Sequence, residues 1–183
     1  NREIRSSLPN SQQVSNGGHC LRFVPVVASS SYLELPISPD PASNQAKIFQ
    51  LQPYTFSSTH KAAVYALSTD DIYSASSRTV LPITGYTSPV SGSVAELALV
   101  ADTLWPLPSP SQRIYIVDRP VRYCVLSNGD LQREEMGWAS ETPPEQIMSS
   151  SLMAQGIMLL PVSASDYQPP FAVTEATLSR NSV

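Results

Sequence analysis

Pro120-Val121-Arg122-Tyr123-Cys124-Val125-Leu126-Ser127-Asn128-Gly129-Asp130-Leu131-Gln132-Arg133 is the stretch on which the fold turns. Asn128-Gly129 lies between two alternating runs, which predicts a β-hairpin. A two-residue type I′ turn needs positive φ at both central positions, and Asn and Gly tolerate it best. In the first arm Val121, Tyr123 and Val125 share one face, and Arg122, Cys124 and Leu126 the other. That arm carries one of only two cysteines. The other, Cys20, opens a second strand-like run reaching Val27. Pro25 places this run at an edge or a bulge, because proline cannot donate to a ladder.

Two distant cysteines, each on a strand, point to one long-range disulfide, Cys20–Cys124. Closing a loop of roughly 100 residues would contribute about 4–5 kcal/mol in the chain-entropy model. In a reducing compartment two buried free thiols would be the alternative. A zinc site needs ligands paired at short spacing, and His19-Cys20 is the only neighbouring pair.

A chain of 183 residues fits one domain over 1–183, burying about two thirds of its unfolded surface. Apolar residues make up 42%, enough for a core, while charged residues make up only 14%. Seventeen prolines and many serines and threonines suit short strands joined by turns, and argue against a helical bundle. A net charge of −4 with scattered arginines offers no basic patch for nucleic acid. No apolar run is long enough to span a membrane. The chain begins without a methionine, as a trimmed or processed product would.

Outward from the hairpin, strands are expected at Tyr32–Leu35, Lys47–Leu51, Ala62–Leu67, Val94–Val100, Arg113–Val117 and Ile157–Val162, with a helix as rival at Val94–Val100. Asn16-Gly17-Gly18 reads as a turn. Thr69–Tyr73 reads as one capped helical turn, and 144–154 as a short helix opened by Pro144 and ended by Gly156. Ile4 and Leu8 share a helical face before Pro9, so residues 1–8 read as the tail of a longer helix. The final run, Ala176–Val183, reads as an interrupted strand.

Catalytic chemistry is sparse. His19 and His60 are the only histidines, and no Gly-x-Ser-x-Gly elbow is present. Asp70 or Asp71 is a conceivable partner for His60. Ser58-Thr59-His60-Lys61 matches Ser-x-x-Lys but lacks the Lys-Thr-Gly that such enzymes also require. The adjacent carboxylates Asp70-Asp71 and Glu134-Glu135 diverge if extended, so neither pair converges on a substrate or metal. The residues therefore predict no enzyme, no cofactor and no metal. Tyr32, Tyr54, Tyr86, Trp105, Trp138 and Tyr167 lie in or near loops, where they either line a glycan or protein contact surface or, more commonly, pin loops to the core.

Several blocks together resemble the type IV pilin-like minor pilins of the MSHA biogenesis MshO type, relatives of the J-type minor pseudopilins of type II secretion. They are Arg2–Ser11, Cys20–Val26, Ser109–Val117, Pro120–Cys124 and Leu131-Gln132-Arg133. The resemblance implies an α+β head, with the end of an N-terminal helix (1–8) packed on antiparallel sheet. It implies a structural role in initiating or assembling an MSHA-type pilus for adhesion. The partners would be other pilin-like subunits and the assembly machinery. The location would be the periplasmic face of a Gram-negative inner membrane, reached through a helix upstream of Asn1. A secreted β-rich adhesive or carbohydrate-binding module is the alternative.

Overall fold

The computed structural model describes residues 10–13, 19–89, 91–159, 164–166 and 169–171. In chain order the elements are β1 (Asn10–Gln13), β2 (His19–Phe23), β3 (Val26–Glu34), β4 (Ser43–Phe49), β5 (Lys61–Ala63), α1 (Thr69–Tyr73), β6 (Val80–Thr87), β7 (Val94–Thr103), β8 (Arg113–Val117), β9 (Val121–Val125), β10 (Leu131–Met136) and β11 (Ile147–Ala154). Strands β3-β4-β7-β6-β5-β8 close into a barrel, and β1-β2-β9-β10-β11 form a second sheet. The barrel is thus inserted between two halves of the sheet.

The expected α+β head is not the fold found. Among the described residues the only helix is the five-residue α1, and the architecture is a closed β-barrel beside an antiparallel sheet. The physical reason lies in the alternation of strands such as β7, where Ala95, Leu97 and Leu99 turn inward and their neighbours outward. Ala46, Ile48, Ile114 and Ile116 do the same on β4 and β8, and together fill the lumen. Trp105, fully buried, belongs to the same core, and its indole N–H donates to the Thr79 carbonyl at 3.3 Å. With the sheet closed on itself, its core needs no covering helix.

The Cys20–Val27 run divides at Val24-Pro25. Cys20–Phe23 lies in β2 of the sheet, and Val26 begins β3 of the barrel. The returning chain makes the same passage at Asp118-Arg119-Pro120, between β8 and β9. Phe23 is paired with Val121 on the sheet side and Val26 with Val117 on the barrel side. Between them the Asp118 N–H donates to the Pro25 carbonyl at 3.0 Å. One two-stranded ribbon, with a proline in each strand at the bend, therefore serves both sheets.

The hairpin β9–β10 forms, but its turn is not type I′. Leu126 pairs with Asp130, and the Gly129 N–H donates to the Leu126 carbonyl at 2.9 Å. Gly129 alone takes a left-handed φ, +84°, so the loop is a three-residue turn with glycine in its last position. Asn128 instead accepts from the Asp130 N–H through its side chain at 3.1 Å.

The helix expected at 144–154 is replaced by strand β11 over Ile147–Ala154, paired with β10. Its Ser149-Ser150-Ser151 centre has little helical preference, so pairing with a neighbour decides its state. Ala62–Leu67 shortens to β5, Lys61–Ala63, because Tyr65 enters the left-handed region at φ 54°. Thr69–Tyr73 is helical, closed by a capping box between Ser68 and Asp71. Ile157–Leu159 are not in a strand. Residues 1–8, Asn16-Gly17-Gly18, the remainder of Ile157–Val162, Tyr167 and Ala176–Val183 lie outside the described residues.

Candidate functional site

Cys20 and Cys124 face each other across the β2–β9 ladder, with Cα atoms 4.1 Å apart, and form a disulfide. Both are buried. The bridge ties the strand before the barrel to the strand after it, so all six barrel strands lie inside the closed loop. Two positions along the same face, Arg22 is paired with Arg122. Arg122 meets the buried Glu134 of β10 at 2.7 and 2.5 Å, and Arg22 meets Glu145 at 2.7 Å. The residues taken from sequence for the disulfide thus sit at the centre of a sheet, among two ion pairs.

Of the residues weighed for catalysis, His19 begins β2, His60 directly precedes β5 and Lys61 begins it. His60 is buried, and its Nδ1 accepts from the Ser57 N–H at 3.2 Å and lies 3.0 Å from the Tyr54 hydroxyl. Thr59 Oγ1 donates to Asp118 at 2.7 Å, and the Trp138 indole N–H donates to the Thr59 carbonyl at 3.3 Å. Lys61 is held by Ser140 Oγ at 2.8 Å and by the face of Trp138. Arg119 and Glu141 close the cluster at 2.9 Å. His60 fastens its own loop, whereas Thr59 and Lys61 tie that segment to Asp118, Trp138 and Ser140.

Asp71 is not a partner of His60. Its carboxylate accepts from the N–H groups of Leu67 and Ser68, both at 2.9 Å. Burial alone would raise its pKa, but these donors hold it below the ordinary value. Glu134 and Glu135 occupy consecutive positions on β10 and so point apart. No three His, Cys, Asp or Glu side chains among the described residues gather as a metal site.

Five of the six loop aromatics can be placed, and they pin the structure. The Tyr32 hydroxyl accepts from the Ser109 N–H at 3.0 Å, and that of Tyr86 from the Leu51 N–H at 3.0 Å. Tyr54 packs edge-on against Tyr86, and Trp105 and Trp138 are buried.

What sequence reasoning missed is the edge of the sheet. β11 is exposed along its whole length, including Ile147, Met148, Leu152 and Met153. Among the described residues no strand pairs with its outer side. It contains no charged residue and no proline, two of the usual devices that keep an edge from pairing. Bulges at Met148 and Met153 bracket a regular ladder over Ser149–Leu152. The signal was present in Ile-Met-Ser-Ser-Ser-Leu-Met-Ala as an uncharged run, hidden by its lack of period-two alternation. Comparison of the chain with protein-family models, with curated proteins and with solved structures gives no match.

Proposed function

We propose that the chain is a structural, non-catalytic subunit that works through its surfaces in an extracytoplasmic assembly. The observation that carries this reading is β11, an uncharged, exposed edge whose outer main-chain groups pair with no other strand among the described residues. An extended segment of a neighbouring subunit adds to such an edge by main-chain hydrogen bonds, with side chains giving specificity. The buried cystine supports an oxidising compartment such as the periplasm. Among the described residues no helix is long and apolar enough to cross a membrane.

The finer form of the proposal is a minor pilin-like subunit in the assembly of an MSHA-type pilus, at the periplasmic face of the inner membrane. It rests on the sequence blocks alone, since the α+β head implied by them is not the fold found. Deletion of the gene and complementation with Ser150→Lys tests both levels. Loss of pili on deletion, with only partial rescue by a folded, exported Ser150→Lys chain, is the expected result. Normal piliation together with glycan binding by the isolated chain would replace it with the adhesive-module reading.

A further inference from the structure

The outward face of β8 carries a second feature, independent of the β11 edge. Ile114 and Ile116 point into the barrel, which leaves Arg113, Tyr115 and Val117 in a row on its outer wall. That row lines a cleft of about 270 Å³, whose lining also takes in Tyr65, Ala66, Leu67 and Ile72 from the segment after β5, and the Ser109–Ser111 loop before β8. The space exists because small residues stand where large ones would close it. Ala63 is paired with Tyr115 on one side and with Val80 on the other, and Ala66 forms part of the wall.

Both rims are fixed in place. The Tyr32 hydroxyl accepts from the Ser109 N–H, and the Tyr32 N–H donates to the Gln112 carbonyl at 2.8 Å. On the opposite side the Ser68–Asp71 capping box holds the start of α1. Tyr65 and Gln112, at φ 54° and 50°, adopt left-handed conformations unfavourable to side chains other than glycine's. Tyr65 lines the cleft, and Gln112 lies between the lining residues Ser111 and Arg113. A preformed apolar cleft with backbone strain on both rims has the properties of a ligand site.

Charge selects the ligand class. Arg113 lines the cleft and is exposed, and among the described residues its guanidinium has no ion-pair partner. Among the described residues no acidic side chain lines the cleft. The cleft is at the small end of the range that small-molecule sites occupy. We propose that this cleft binds a small amphiphilic carboxylate, its aliphatic or aromatic body over Ala63 and Tyr115 and its acid group on Arg113.

Octanoate, octan-1-ol and octyltrimethylammonium, titrated into the isotope-labelled chain and followed by amide chemical shifts, test this. Octanoate should bind about tenfold more tightly than octan-1-ol, with the cation weakest, and shifts should centre on Ala63, Ile72 and Tyr115. Arg113→Gln, at an exposed residue, should remove the advantage of the acid and leave octan-1-ol binding unchanged. Ala66→Leu should weaken both, and the same spectra report whether that variant remains folded. Equal binding of acid and alcohol, octanoate binding unchanged in Arg113→Gln, shifts centred elsewhere, or no binding at all would each overturn the proposal.

Discussion

Arg22 on β2 stands directly opposite Arg122 on β9, so two guanidinium groups share one cross-strand pair. Like charges in that position repel, and each is matched by its own carboxylate. The two pairs are unequal. Arg122 and Glu134 are both largely buried, whereas Glu145 is 43% exposed against 9% for the Arg22 side chain. Arg22 also keeps Nε and Nη2 buried with no hydrogen-bond partner among the described residues, its guanidinium stacked over the Tyr73 ring at 4.4 Å.

The consequence is an asymmetry between the members of the Arg22–Glu145 pair. Glu145→Ala leaves a buried, unpaired cation opposite another cation, and should destabilise by about 2–3 kcal/mol. Arg22→Met removes the incompletely satisfied charge, keeps the apolar stem and relieves Arg122, so its effect should lie within about 1 kcal/mol of neutral or be stabilising. Urea unfolding of the two variants checks the order. A larger loss for Arg22→Met would mean that the pair contributes net attraction.

The cystine should contribute nearly the full loop-closure effect. Its cysteines are separated by 104 residues, and that loop contains all six barrel strands. A loop of this size is worth about 4.7 kcal/mol in the chain-entropy model. Reduction should lower Tm by roughly 10–20 °C, at about 2–4 °C per kcal/mol for a chain of this length. Calorimetry with and without reductant measures it directly. A shift of only a few degrees would show that the unfolded chain is already compact across the loop.

The turn geometry makes a sharper claim about Gly129. A Cβ there would sit 2.7 Å from the Ile157 carbonyl oxygen and 3.2 Å from its nitrogen, at a φ of +84°. Ile157 N–H also donates to the Gly129 carbonyl at 2.9 Å, so this backbone has little room to move away. Gly129→Ala should therefore cost about 2–3 kcal/mol. Asn128→Ala loses two exposed side-chain hydrogen bonds to Asp130, to its N–H and its carboxylate, and should cost about 1 kcal/mol. Equal losses would favour a turn with positive φ at both residues.

That turn also shows what was legible in the sequence. Asn-Gly between alternating strands located the hairpin, and the Thr69–Tyr73 run located the capped helical turn, because both signals act within a few residues. The exact turn type was not legible, since it follows from the pairing of Leu126 with Asp130. Nor was β11, whose strand state comes from β10 and not from its own serines. Barrel closure is the extreme case. It depends on β3 meeting β8 about 85 residues later, a contact with no local signature. The Arg113-Tyr115-Val117 row was readable from alternation, but not the loops that stand over it.

Lys61 gives the fold a pH dependence with a definite sign. Burial pushes its pKa down from 10.5 to about 8, against the opposing pull of Glu141. An unfolded lysine keeps its proton to about pH 10.4. Between these values the unfolded state binds more protons than the folded one, so the Lys61 contribution to stability rises with pH through the window. Below about pH 8 both states are protonated and the folded chain bears the desolvation penalty in full. Burial raises Tyr54 and Tyr73 to about 12, so their effect runs the other way, above about pH 10, where unfolded tyrosines ionise first. The interval from about pH 8 to about pH 9.5 therefore isolates the lysine. Wild-type stability, measured by urea unfolding, should climb across it relative to Lys61→Met, which has no charge to lose. Parallel profiles would mean that the Trp138 face and Ser140 hold the ammonium charged in the folded chain.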